Sequence, residues 1–185
     1  MKTSRTILLS LCIFLLGSCA IHKWKSTLVS EGYVDEAISN AVTDFIHTSK
    51  LYKESDKFWI WIEEKEKTII VSIILAYDVV RPTLSNKVGS YDPFFPSRYI
   101  EQDRKLFYWN DSTQMLTQDM LSMLEKYDLI DYSYSDQEMY VGGMHNDGME
   151  GMHYFFYKND LRIYKKSRIS NIMKHYKTPV LEWEK

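Results

Sequence analysis

Cysteine is nearly absent: the chain has two, Cys12 and Cys19, and none follows position 19. That excludes an internal disulfide and a cysteine nucleophile from the body of the protein, so its fold is held by its core alone. Proline is sparse as well, four in 185 residues, and three of the four (Pro82, Pro93, Pro96) fall between Asp78 and Asp103. The N-terminal apolar run, Ile7 to Leu16, is ten residues long, half of the about 20 that a membrane-spanning helix needs. Positive charge is not in excess: 23 Lys and Arg face 25 Asp and Glu, mixed along the sequence. A protein that tracks phosphates concentrates cations on one face, so nucleic acid is not an expected partner. Also missing are a Gly-x-Ser-x-Gly elbow, a glycine-rich phosphate loop, a His-Glu-x-x-His pair, internal repeats and low-complexity tracts. No motif announces an enzyme class, and no cofactor is expected.

What is present begins at the N-terminus. Lys2 and Arg5 precede the apolar run, and Leu16-Gly17-Ser18 leads into Cys19 with small residues. This charged start, short greasy stretch and small-residue approach to a cysteine resemble the signal of bacterial lipoproteins. The resemblance covers the first nineteen residues. It implies removal of residues 1–18, a diacylglycerol on the Cys19 sulfur and acylation of the new amino group. More than one acyl chain gives stable anchoring, where a single one binds reversibly. Loss of Lys2 and Arg5 takes the net charge from −2 to −4, because the leader holds no acid. No acidic residue follows Cys19 before Glu31, which in lipoproteins of this kind implies the periplasmic face of the outer membrane. Residues 19–32 read as a lipidated tether whose Lys23, Trp24 and Lys25 suit a lipid interface.

Residues 33–185 read as one α+β domain: an antiparallel sheet of about five strands with two main helices packed on it. Val34, Ala37, Ile38, Ala41, Val42, Phe45 and Ile46 recur at three- and four-residue steps, which predicts a core-facing helix from Tyr33 to about Lys50. Phe58–Ile62 and Thr68–Tyr77, rich in β-branched and aromatic residues, predict a hairpin. The second of these runs is apolar on both faces, as a central strand covered on both sides would be. Lys105–Trp109 reads as a third strand, and Thr117 as the N-cap of a second helix with Asp119 in its first turn. Asp128–Tyr140 is ambiguous between edge strand and loop. Met152–Tyr157 and Leu161–Lys165 flank the turn composition Lys158-Asn159-Asp160 and predict a last hairpin.

Three stretches are candidate sites. Asp78–Asp103 shows few signs of regular structure, and long loops in compact domains are usually functional or disordered. Its Tyr91, Phe94, Phe95, Arg98 and Tyr99 either pack down over the core or face a partner, since aromatics and arginine dominate binding hot spots. Trp59 and Trp61 share one face of their strand; exposed they would stack on a sugar ring or a partner, buried they are core. His145, Asp147, Glu150 and His153 gather imidazoles and carboxylates suited to a divalent ion, beside methionines suited to Cu(I). The two histidines are eight apart, without one-turn ligand spacing. If the stretch is a hairpin loop, Gly142, Gly143, Gly148 and Gly151 serve positive φ angles and the polar residues are solvated.

Three functions fit. The first is a non-catalytic protein-binding module, in one form an immunity protein that neutralises a toxin delivered by neighbouring bacteria. The second is an envelope glycan binder or glycan-active enzyme, and the third a structural lipoprotein. The expected partners are the membrane, through the lipid on Cys19, and another protein.

Overall fold

The structure, a computed structural model, describes residues 25–28, 32–76, 80–82, 86–132 and 149–170. Cys19, His145 and Asp147 lie outside these residues, as do Gly142, Gly143 and Gly148. The described residues form an α+β fold built on one open sheet. Its strands are β1 (Lys25–Ser26), β2 (Lys57–Glu64), β3 (Thr68–Leu75), β4 (Arg98–Gln102), β5 (Lys105–Trp109), β6 (Glu150–Tyr157) and β7 (Asp160–Ser170). The helices are α1 (Tyr33–Thr48) and α2 (Gln118–Lys126), with a 3₁₀ turn at Lys50–Lys53.

The spatial order is β1-β4-β5-β2-β3-β6-β7. Every pairing is antiparallel except β2 with β5, which run parallel with Trp59 opposite Tyr108. The sheet is therefore seven-stranded and mixed, where sequence patterning predicts about five antiparallel strands. The two extra strands are β1, two residues long, and β4, which lies inside the supposed loop. The parallel pair follows from the connection between β3 and β4, which carries the β4–β5 hairpin across to the far side of β2.

Each face has its own core. The stripe on α1 lies over Phe58, Ile60, Ile69, Val71, Ile73, Phe107, Tyr154 and Phe156. There Phe58 and Phe107 stack at 4.8 Å with Phe45 edge-on to both, a favoured ring geometry. Acidic Asp35 and Glu36 sit in the first turn of α1, against the positive end of its dipole. On the opposite face α2 packs Met120, Met123 and Leu124 against Tyr99, Leu106 and Tyr108. The Thr117 hydroxyl accepts from the Met120 N–H at 3.2 Å, the predicted N-cap. β3 is buried along its whole length, as its two-sided apolar pattern requires.

Two-residue chemistry closes the β4–β5 hairpin. Asp103 and Arg104 both take positive φ, 51° and 61°, the pair of left-handed residues that a type I′ turn demands. Gly151, expected to serve a positive φ, instead sits in β6 at ordinary strand geometry. Its need for glycine is steric, because a Cβ there would come within 2.3 Å of the Ile73 carbonyl oxygen.

Candidate functional site

Residues 86–97 form a loop at the start of β4 that is held by its own polar groups. Ser90 donates through its amide and hydroxyl to the Lys87 carbonyl at 2.8 and 2.6 Å. The Phe94 N–H donates to Asp92 Oδ1 at 2.8 Å, and the Asp92 carboxylate also accepts from Asn86. Asn110 donates to the Pro93 carbonyl. A second loop, residues 110–117, is tied alongside: the Gly89 N–H reaches the Leu116 carbonyl and the Leu116 N–H the Ser90 carbonyl, both at 2.8 Å. Gly89, at φ 87°, provides the left-handed residue of the Lys87–Ser90 turn within the first loop.

This bracing turns two adjacent phenylalanines opposite ways. Phe95 is buried against α2, whereas Phe94 is 86% exposed. Tyr91, Val88 and Met115 on the same two loops are about half exposed. The result is an apolar tip with few charges, Lys87 being its one cation. Val88 and Met115 are not legible as site residues in the sequence, since it is hydrogen bonds between the two loops, those of Leu116 nearest to them, that bring the loops together.

Arg98 and Tyr99, the other expected partner contacts, are inside. Arg98 is 7% exposed and grips both Asp35 oxygens, at 2.9 and 2.6 Å. It also donates to Asp111 Oδ2 at 3.2 Å and to the Thr27 carbonyl at 2.8 Å, and its guanidinium lies 5.4 Å from the Trp109 ring. Burial works to raise the Asp111 carboxyl, but hydrogen bonds from Thr113 and Arg98 outweigh it and hold the group below its usual range. Tyr99 donates to Asp119 under Lys25. Of the five, Tyr91 and Phe94 are thus at the surface, while Phe95, Arg98 and Tyr99 belong to the packing.

The two described members of the histidine and carboxylate group diverge. Three residues apart on one strand, Glu150 and His153 point to opposite faces of β6. Glu150 accepts from Arg168 at 3.2 Å, and His153 Nδ1 is hydrogen-bonded to Ser72 Oγ at 2.7 Å, its cross-strand neighbour. Burial lowers the His153 pKa from its ordinary 6.5 despite the opposing pull of Glu63. Among the described residues no three His, Cys, Asp or Glu side chains stand close enough to hold a metal ion.

Trp59 and Trp61 share a face but not an environment. Trp59 packs edge-on against Tyr108 at 5.1 Å, while Trp61 is 52% exposed. An open cleft of about 350 Å³ lies between Asp56, Lys57, Arg104, Lys126, Tyr127 and Asp128; it sets three cations beside two acids and holds no serine or histidine. Comparison with known proteins gives no assignment, since no family model, curated protein or solved structure matches the chain.

Proposed function

We propose that this chain is a lipid-anchored protein of the bacterial envelope that works by binding another protein, and within that class as an immunity protein that occludes a toxin delivered by neighbouring cells. The observation that carries the proposal is Phe94: a large apolar side chain 86% exposed on a hydrogen-bonded loop. Exposed apolar clusters on soluble surfaces mark interaction sites, and a rigid aromatic anchor loses little entropy on binding. The position of the loop supports the same reading. β1 runs antiparallel to β4 with Lys25 opposite Glu101, so the tether reaches the sheet at the Gln102 end of β4. The loop precedes Arg98 at the other end, about 13 Å along the strand, so it does not share the end of β4 at which Lys25 pairs.

A glycan reading draws on Trp61, which is exposed enough to stack on a sugar. Its support is weaker, because Trp59 is engaged with Tyr108 and only one ring of that tryptophan pair is open, although exposed Tyr157 and Tyr164 offer further rings on another part of the sheet.

The test compares the full chain with its Phe94→Ser variant as bait in envelope extracts of its own and neighbouring strains. The expected result is one stoichiometric protein that is toxic in the periplasm, is neutralised by the native chain and is not held by the variant. Retention of peptidoglycan fragments by both forms, with no such protein, overturns the proposal in favour of glycan binding. Anchoring is read separately: Cys19→Ala is expected to abolish incorporation of labelled palmitate and release the protein from the membrane fraction.

A further inference from the structure

We infer that the outer edge of β7 is a docking strand for an acidic, extended segment of a partner protein, a second contact surface independent of the Phe94 loop. The sheet ends differently on its two sides. On one side β1 is two residues long, whereas β7, the last strand in the order, runs for eleven residues, Asp160–Ser170. Among the described residues no strand lies beyond it. A long strand paired on one side presents a row of backbone donors and acceptors to any chain that can lie alongside.

Charge selects the chain. β7 carries Arg162, Lys165, Lys166 and Arg168 against a single acid, Asp160, in a protein whose net charge is −2. Lys166 and Arg168 lie on the α1 face with Tyr154 and Met152 as neighbours, and Lys165 on the other face opposite Phe155, so both faces of an incoming strand meet cations. Lys166 is tied back to Asp44 on α1 at 2.9 Å, but the ion pairs of the two arginines do not remove their charge from solvent: the Arg162 and Arg168 side chains are 88% and 60% exposed while bonded to Asp160 and Glu150. Such surface pairs exchange at little cost. Lys165 lies 5.5 Å from the Phe155 ring and has no carboxylate partner among the described residues.

The same cations reject a second copy. Antiparallel pairing of two β7 strands about their centre sets Arg162 opposite Arg168 and Lys165 opposite its own counterpart, and like charges directly across a ladder are destabilising. An acidic strand reverses every one of those terms. The edge is five strand spacings from β4, about 24 Å, so one partner can occupy it while another, or another part of the same one, covers Phe94.

The experiment is hydrogen exchange read by mass spectrometry on the full chain in detergent. The probes are a short blocked peptide alternating glutamate and valine and its lysine and valine counterpart. At about ten times its Kd the acidic peptide is expected to slow exchange over 160–170 about tenfold, less so as salt rises, while the lysine peptide leaves that segment unchanged. Arg162→Glu with Lys165→Glu is expected to reverse the preference, with circular dichroism confirming the fold. If that variant does not fold, the salt series on the native chain decides. Equal protection by both peptides, protection only over 86–97, or a β7 segment already as slow as β3 in the free chain overturns the inference. Because Phe94→Ser leaves this readout untouched, failure here and failure of the immunity proposal are separable.

Discussion

Arg98 decides more of this structure than any other single side chain, because it is a buried cation that three separate segments need. Asp35 brings it the first turn of α1, Asp111 the loop after β5, and the Thr27 carbonyl the strand at the N-terminal edge. A bidentate guanidinium suits this role, since its planar fork bonds two carboxylate oxygens while further donors reach elsewhere. Removing one partner of a buried pair leaves the other charge uncompensated in a medium that solvates it poorly. Arg98→Met is therefore expected to cost about 3–5 kcal/mol, measured by urea unfolding. Adding Asp35→Asn to that variant should recover a large part of the loss. A loss under about 1 kcal/mol, or no recovery in the double variant, would mean that the pair is solvated and the three segments are held by other contacts.

At the level of elements, the local patterns were legible and the long-range ones were not. The α1 stripe, the Thr117 cap and the hairpins β2–β3 and β6–β7 are each written in neighbouring residues, so periodicity and turn composition suffice to place them. β4 escapes because Arg98, Glu101 and Gln102 read as surface, and it takes partners from three other segments, Asp35 on α1 foremost, to make burial of Arg98 tolerable. The parallel seam between β2 and β5 is likewise a tertiary event. The candidate site shows the limit most plainly: Phe94 and Phe95 are the same residue in adjacent positions, and the hydrogen bonds of Asp92 and Asn110 determine which one faces solvent. Gly151 was legible as a special position but for the wrong reason. Its hydrogen is all that fits against the Ile73 carbonyl at the β3–β6 seam, so Gly151→Ala must push two central strands apart. A loss of about 1–3 kcal/mol is expected, with Tm falling accordingly in a thermal melt. The unchanged stability of that variant would show that β6 slides without penalty and that the close approach is not fixed.

For the molecule as a whole, the directions in which its groups are shifted lead us to expect stability to fall in two steps on acidification. His153, half enclosed between β3 and β7 beside Ser72, has its pKa lowered by burial. The unfolded chain therefore binds a proton at pH values where the folded chain does not, and stability falls as pH drops below about 6.5 toward the lower folded value. Asp119 and Glu64 are held below their ordinary 3.8 and 4.5, by hydrogen bonds with Lys25 and Tyr99 and with Tyr33 and Lys158 respectively. Their contribution is present above those ordinary values and is lost as pH falls through the carboxylate range. The first step acts at the β3–β6 seam, where His153 sits on β6 opposite Ser72, and the second also reaches the other half of the sheet, where Asp119 on α2 is bonded to Lys25 of β1 and Tyr99 of β4. The urea midpoint is thus expected to hold level from pH 8 to 7, to decline first below about 6.5 and to decline again below about 4.5. His153→Gln should erase the first decline and leave the second in place. If the first decline persists in that variant, the proton is taken up elsewhere and the Ser72–His153 pair is not the acid-sensitive point of the sheet.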